Sequence, residues 1–376
     1  MESTDITNEI LIEKACKIFQ TNAEKSAKRK LVTDKIVKNI FLGITVFCAS
    51  IIIIVTGFII VKGVMPFIAT YSENGNTGKV DIGYFLTGMR FSSGYDSDSG
   101  QFLYGVGFLI INTLILNILV SIIAVPTAIL TALFIAKIAP KAVSKIFQAA
   151  IDLLAAIPSV IYGIFGVGVI VPLIRSFANS IGYVSSSGIS MLSGALVLAL
   201  MILPTIISVS VTALNAVDEN QIKGSLALGA SKTQTNFRIS LGNAKSGIFA
   251  GIILGIGRSL GEATAVSMIC GSPTFGITIN PLDPTVTISS QMLLAIGEAV
   301  PGSLNYDVRF SAGICLMIII IITNLILNDV KEHVSSVDKK PLFITKVFLL
   351  IKKETLTVFY FLKEKLNHEK KLGSRK

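Results

Sequence analysis

Long stretches without a single charge are the strongest constraint on this chain. Residues 39–61, 99–136, 153–174, 176–217 and 310–328 carry none. An α-helix rises 1.5 Å per residue, so about 20 apolar residues cross a hydrocarbon core about 30 Å thick. Each run is long enough. Ser185, Ser186, Ser187 and Gly188 read as a loop inside the fourth, leaving a span over about 191–214, and 99–136 holds a span plus an approach segment. One further run, 246–270, is interrupted in its middle by Arg258 and Glu262. The pattern predicts six spans, about 39–62, 103–136, 150–174, 191–214, 246–270 and 310–328, in an all-α polytopic membrane protein.

Composition agrees. Only 15% of the 376 residues are charged and 52% are hydrophobic, against about 25% charged in soluble domains, and mean hydropathy is +0.73. Such a surface suits lipid. The first run begins too far from the N-terminus and is too long for a cleaved signal peptide, so it reads as an anchor. Cys16, Cys48, Cys270 and Cys315 show neither CxxC nor CxxH spacing, and both histidines, His333 and His368, lie near the C-terminus. No metal, disulfide framework or cofactor is indicated. The net charge of +10 sits beside apolar spans and not on a basic face with interleaved aromatics, so nucleic acid is not an expected partner.

The basic residues give topology. The N-terminal segment to residue 38, the 137–149 and 215–245 loops and the segment after 328 hold 8, 3, 4 and 12 Lys and Arg, against five in the opposite loops. The positive-inside rule then places both termini in the cytoplasm. Residues 1–38 become a cytoplasmic N-terminal segment, 63–102 an extracytoplasmic loop and 331–376 a basic cytoplasmic tail. Within that tail, 341–366 alternates apolar clusters with lysines and reads as an interfacial helix on anionic membrane lipid. No internal repeat is evident.

Arg258 and Glu262 are the most informative pair. A charge at mid-membrane costs from about 2.5 to over 10 kcal/mol and survives only beside a cavity or a partner. On a continuous helix the i, i+4 spacing puts both on one face. Two readings fit equally: an internal salt bridge, or an anion site in which the guanidinium fork grips a tetrahedral oxyanion. In the second, Glu262 holds Arg258 when the site is empty or accepts a hydrogen bond from a protonated oxyanion, which phosphate offers and sulfate does not. Gly255, Gly257 and Gly261 would admit close neighbours.

In the 215–245 loop, Asp218 reads as an N-cap, Ser225, Leu226 and Leu228 as a short helix, and Gly229 as its stop. Such a helix serves either as a plain connector or as a peg for another protein's groove. Gly224-x-x-x-x-Gly229 imitates a nucleotide loop, but Ala230 and Ser231 stand where Lys and Ser/Thr are required. In 157–163, Pro158 marks either an ordinary helix start or a broken end exposing Ser159 and Tyr162 to a pathway. Glu298 reads as a solvated residue near an outer vestibule.

Three separated stretches resemble one family. Residues 257–263 (GRSLGEA) are similar to the GRxLGET stretch, and 157–163 (IPSVIYG) match the IPSVxYG stretch, of phosphate permeases of the PstC type. Leu226-Ala227-Leu228-Gly229-Ala230 resembles the end of the EAA loop shared by binding-protein-dependent ABC importer permeases. Lys223-Gly224-Ser225 stands in place of Glu-Ala-Ala, Leu241-Gly242 in place of Leu-Pro, and Ala263 in place of Thr. The resemblance covers about 103–330 and implies a type I ABC importer transmembrane domain there. It implies a heterodimer with a PstA-type permease, a cytoplasmic ATPase dimer of PstB type and an extracytoplasmic phosphate-binding protein of PstS type. It also implies that Arg258 and Glu262 act in phosphate passage, with Ser159 and Tyr162 beside them, and that Lys223, Gly224, Ser225, Leu226, Ala227, Leu228, Gly229 and Ala230 couple to the ATPase. A secondary transporter would show inverted repeats and more intramembrane acids. A membrane enzyme would show a catalytic constellation. A permease for molybdate or sulfate is the nearest rival.

Overall fold

The computed structural model describes residues 2–73, 75–96, 100–183, 187–294, 296–297 and 299–335, with side chains from 34 to 334. The 341–366 segment and Glu298 lie outside the described residues. The chain divides into two units, Met1–Val61 and Lys62–Lys376. Helix α1 (Glu2–Ile68) supplies the first unit and the first apolar span, Asp34–Ile68. Phe47, Ile52, Ile53 and Ile54 on it are each about two-thirds exposed, a surface suited to lipid or to a neighbouring chain.

In the second unit the chain first forms two hairpins, β1 (Tyr71–Glu73) with β2 (Asn76–Gly78) and β3 (Phe91–Asp96) with β4 (Gln101–Tyr104), separated by α2 (Ile82–Thr87). The fold is therefore mostly helical and not purely so, and the approach segment of the second span is a strand. Alternation explains it: Phe91, Phe102 and Tyr104 point inward and build an apolar cluster with Phe85, Phe108, Val286, Ile288 and Val308.

The remaining helices are α3 (Gly107–Leu133), α4 (Lys141–Ala156), α5 (Ser159–Phe165), α6 (Val171–Ser180), α7 (Met191–Asn215), α8 (Glu219–Ala227), α9 (Lys232–Gln234), α10 (Leu241–Leu260), α11 (Thr264–Ile269), α12 (Ile288–Leu293) and α13 (Leu304–Ser335). Six segments are long and apolar enough to cross a membrane: Asp34–Ile68, Gly107–Ile138, Ser159–Ser180, Met191–Asn215, Lys232–Leu260 and Leu304–Val334. The main core lies where α3, α7 and α10 pack. Gly247, Gly251 and Gly255, four residues apart on α10, lie flush against Ala213, Val209 and Ile206 of α7, leaving no room for a Cβ at the two ends of the stripe. Of the glycines expected to admit neighbours, Gly255 does so tightly, a Cβ at Gly257 would meet Asn324 Oδ1 of α13 at an ordinary 3.7 Å, and one at Gly261 would meet only carbonyls of its own turn.

Several span ends differ from the sequence expectation, and two of them fall at helix breaks. The run 150–174 is cut at Ile157–Pro158, because proline cannot donate and clashes with a preceding turn, so α4 ends as a separate helix and the span starts at Ser159. The run 246–270 is cut at Gly261, so the span ends at Leu260 and α11 is a second, short helix. The segment from 271 to 287 has no regular helix, and buried side chains of α3 satisfy part of its backbone. Asn112 Oδ1 accepts from Thr278 N at 2.9 Å, and Thr113 Oγ1 accepts from Ile288 N at 3.1 Å.

At the hairpin end, Tyr104 donates to both Glu73 carboxylate oxygens at 2.9 and 3.1 Å. Burial nevertheless pushes the Glu73 carboxyl above the usual glutamate range, the tyrosine bond acting against it. A folded pKa above the unfolded one means that the folded state holds the proton more tightly. The contribution to stability is then full below the ordinary glutamate pKa and lost as pH rises through the raised value. Glu73→Gln mimics the protonated form, so it is expected to raise the Tm of the purified protein relative to wild type at about pH 8, with the gap closing only as pH falls below about 4.3, the ordinary glutamate value.

Candidate functional site

The site is built on the break between α10 and α11. Arg258 lies in the last turn of α10, where the orphan carbonyls give the helix end partial negative charge and favour a cation. It is exposed on the isolated chain, and among the described residues its hydrogen bond is Nη1 to Thr205 Oγ1 on α7, at a long 3.4 Å. Thr205 follows Pro204, which sits inside α7, so the hydroxyl lies at a weakened point of that helix.

Glu262 is not on the same helical face, since the helix has already ended at Leu260. Instead its Oε1 accepts from Ala265 N at 3.1 Å in the first turn of α11. Ion pairs join Lys62 to Asp307 and Lys223 to Glu219, and among the described residues none joins Arg258 to Glu262, so these two do not form the internal salt bridge. Each charge is placed by a helix end of its own. The Glu262 carbonyl is held as well, by Ser289 Oγ of α12 at 2.8 Å.

The 157–163 stretch meets this break. α5 packs on α11, and at Gly163 an added Cβ would come within 2.8 Å of Met268 Sδ. Tyr162 precedes Gly163 on the same helix. Its hydroxyl does not face a pathway, however: Tyr162 is 6% exposed and donates to Leu154 O at 2.8 Å. That carbonyl belongs to the end of α4, so the tyrosine braces the Pro158 break. Ser159 is half-buried at the first position of α5. The structure thus packs α5, which carries Ser159 and Tyr162, against the helix that follows the Arg258–Glu262 break. Two clefts of about 830 and 650 Å³ lie between the helices; both are lined mostly by apolar side chains, with Asn117, Ser121, Thr323 and Lys245 at the larger, and neither includes Arg258 or Glu262. Their mostly apolar walls suit lipid or neighbouring helices.

At the opposite end of α7, Asp218 caps α8 by accepting from Asn220 N at 2.9 Å. Gly229 closes it at φ +84°, with Ala230 N donating to Ser225 O at 3.2 Å and Gly229 N to Leu226 O at 3.0 Å. This is a Schellman stop, which needs a left-handed residue. α8 buries no residue, and Leu228 stands 91% exposed. Ser225 Oγ meets Thr235 Oγ1 at 3.0 Å and Asn243 Nδ2 donates to Gln221 Oε1, tying α8 to the start of the fifth span. Lys223 pairs with Glu219 on the surface, a bond worth at most about 1 kcal/mol.

Sequence reading missed Thr205, Ser289 and Arg309. Pro204 within an uncharged span was the available signal for the first; Arg309 read only as a loop charge.

Six spans, a charged helix break within them and an exposed helix peg at one end define a membrane transport protein. Residues 124–335 match the family described as binding-protein-dependent transport system inner membrane component. A probable ABC transporter permease, YqgH of Bacillus subtilis, is 35% identical over 275 residues, covering 72% of this chain and 83% of that one. The phosphate transport system permease protein PstC 2 of Mycobacterium tuberculosis is 32% identical over 253 residues, covering 64% and 77%. A solved bacterial ABC transporter involved in import of the acidic polysaccharide alginate superposes with TM-score 0.47 at 19% identity over 61% of this chain and 79% of that one, too loosely to carry an argument. The chain belongs to the inner membrane components of binding-protein-dependent transport systems, and within them to the PstC-type ABC importer permeases. It is a multi-pass plasma membrane protein, of a family that works with an ATPase and a substrate-binding protein.

Tyr162→Phe removes one hydrogen bond to a carbonyl that Ile157 N also reaches at 3.3 Å. It is expected to cost about 1 kcal/mol, read as a lower Tm in detergent.

Proposed function

We propose that the chain imports inorganic phosphate across the plasma membrane as the permease subunit of an ABC transporter, while a separate subunit hydrolyses ATP. The observation that carries this reading is the Arg258 guanidinium, held at the end of α10 with no carboxylate partner among the described residues. A planar fork with open donors suits a tetrahedral oxyanion. Glu262 accepts a hydrogen bond donated by a protonated oxygen, which phosphate has at neutral pH and sulfate lacks. Relatives named as phosphate permeases support the same substrate.

In this reading both termini and α8 face the cytoplasm, and the hairpins face out. The subunit pairs with a PstA-type permease. A phosphate-binding protein of PstS type delivers the substrate, and a PstB-type ATPase dimer receives the coupling segment, Lys223 to Ala230, with Leu228 as its apolar knob. Movement of α8 passes through Ser225–Thr235 and Gln221–Asn243 into the fifth span. The 20 residues of α10 carry it about 30 Å to Arg258. ATP and phosphate-loaded binding protein each favour one state of the permease, and that difference couples them. Ser159 lines the path at the head of α5, and Tyr162 holds the adjoining wall.

The test is ATP-dependent uptake of radiolabelled phosphate into proteoliposomes holding all four kinds of subunit, with sulfate, molybdate and arsenate as competitors. Block by arsenate alone supports the phosphate reading; uptake of molybdate or sulfate instead overturns it. Arg258→Gln is expected to abolish uptake with the ATPase still co-purifying. Loss of assembly as well would count against the anion role. Leu228→Glu is expected to uncouple ATP hydrolysis from uptake and weaken ATPase co-purification. It is a cleaner probe than Gly229→Glu, because a side chain at φ +84° is strained whatever it touches.

A further inference from the structure

Arg309 is a buried cation on the first turns of α13, 5% exposed. Its Nη1 donates to Gln291 O at 2.6 Å and to Leu294 O, and its Nη2 donates to Asn305 Oδ1 at 3.1 Å. Gln291 and Leu294 form the C-terminal end of α12, where carbonyls lack partners within the helix and a cation satisfies them. An apolar side chain would fill the position without desolvating a charge, so the guanidinium is explained by what it holds.

What it holds leads to the site. α12 has six residues and is about 9 Å long. Its first turn donates Ser289 Oγ to Glu262 O at 2.8 Å, and Ile288 N donates to Thr113 Oγ1 of α3 at 3.1 Å. A capping box of Thr287 and Ser290 stiffens that same end. α12 is thus a short strut pinned by α13 at one end and by α3 and the Glu262 peptide at the other. The Glu262 side chain leaves from that peptide.

We propose that Arg309 is a positioning residue for the α10–α11 break. Through α12 and Ser289 it fixes the Glu262 peptide, and so sets where the carboxylate stands relative to Arg258. The proposal rests on the reading of that break as the oxyanion site, and its test separates the two.

The assembled transporter is reconstituted with Arg309→Met, Arg309→Lys, Ser289→Ala and the double variant Arg309→Met/Ser289→Ala. Uptake of inorganic phosphate gives KM and maximal rate. In parallel, each change is combined with Glu262→Cys, and the rate of maleimide labelling at residue 262 is followed by mass spectrometry. Arg309→Met and Ser289→Ala are each expected to raise KM roughly three- to tenfold, with maximal rate largely kept. The double variant is expected to be no worse than the worse single one, because both cut the same strut. Labelling at 262 changes by a similar factor in both backgrounds. Arg309→Lys keeps the charge but not the fork, and is expected to restore the KM in part. Unchanged labelling at 262 in assembled Ser289→Ala or Arg309→Lys overturns the proposal, as do fold-changes that multiply in the double variant. These outcomes remain readable if Arg309→Met fails to assemble. Labelling that responds to the strut but that phosphate does not slow supports the positioning role while removing the oxyanion reading.

Discussion

A helix that stops inside a membrane leaves backbone donors and acceptors that water cannot reach, and each has to be met by the protein. This chain stops helices at Pro158 and at Gly261, and lets an irregular segment run from 271 to 287. At the first break Tyr162 gives its hydroxyl to Leu154 O. At the second, Glu262 accepts from Ala265 N, and Ser289 donates to the Glu262 carbonyl. In the irregular segment Asn112 takes the Thr278 amide, Thr113 takes the Ile288 amide at the head of α12, and Arg309 closes the other end of that helix. The polar residues that permit the breaks are therefore also those that line them.

The same constraint separates the two charges. On an uninterrupted helix Arg258 and Glu262 would face each other and neutralise. With the helix ended between them, the arginine is favoured by the carbonyl end of α10 and the glutamate by an amide of α11. The fold thus keeps a guanidinium inside a span without a carboxylate partner among the described residues. A continuous line of structure joins this point to α8, through the fifth span and the Ser225–Thr235 contact.

Most of the architecture is legible in the sequence because lipid tolerates few charges: the uncharged runs mark the spans, and Asp218 and Gly229 mark α8 by cap chemistry that acts over a few residues. The span ends at 159 and 260 were not legible from hydropathy, since an apolar run continues smoothly across a break made by one Pro or Gly. The two hairpins were hidden because their strands, of 3, 3, 6 and 4 residues, are too short to show a strong alternation. Arg258 and Glu262 stood out as charges, but their i, i+4 relation assumed a helix that does not continue. Arg309 was illegible for a different reason. A basic residue beside a span reads as topology, and its burial depends on carbonyls 15 and 18 positions earlier in the chain.

The central claim is that the two charges of the break have separate roles and are not neutralising partners. The most direct measurement is phosphate uptake by Arg258→Gln, by Glu262→Gln and by the double variant in the assembled transporter. The account predicts that the double variant is as inactive as Arg258→Gln alone. Recovery of uptake when both charges are removed would show that each had served only to cancel the other, and would contradict it.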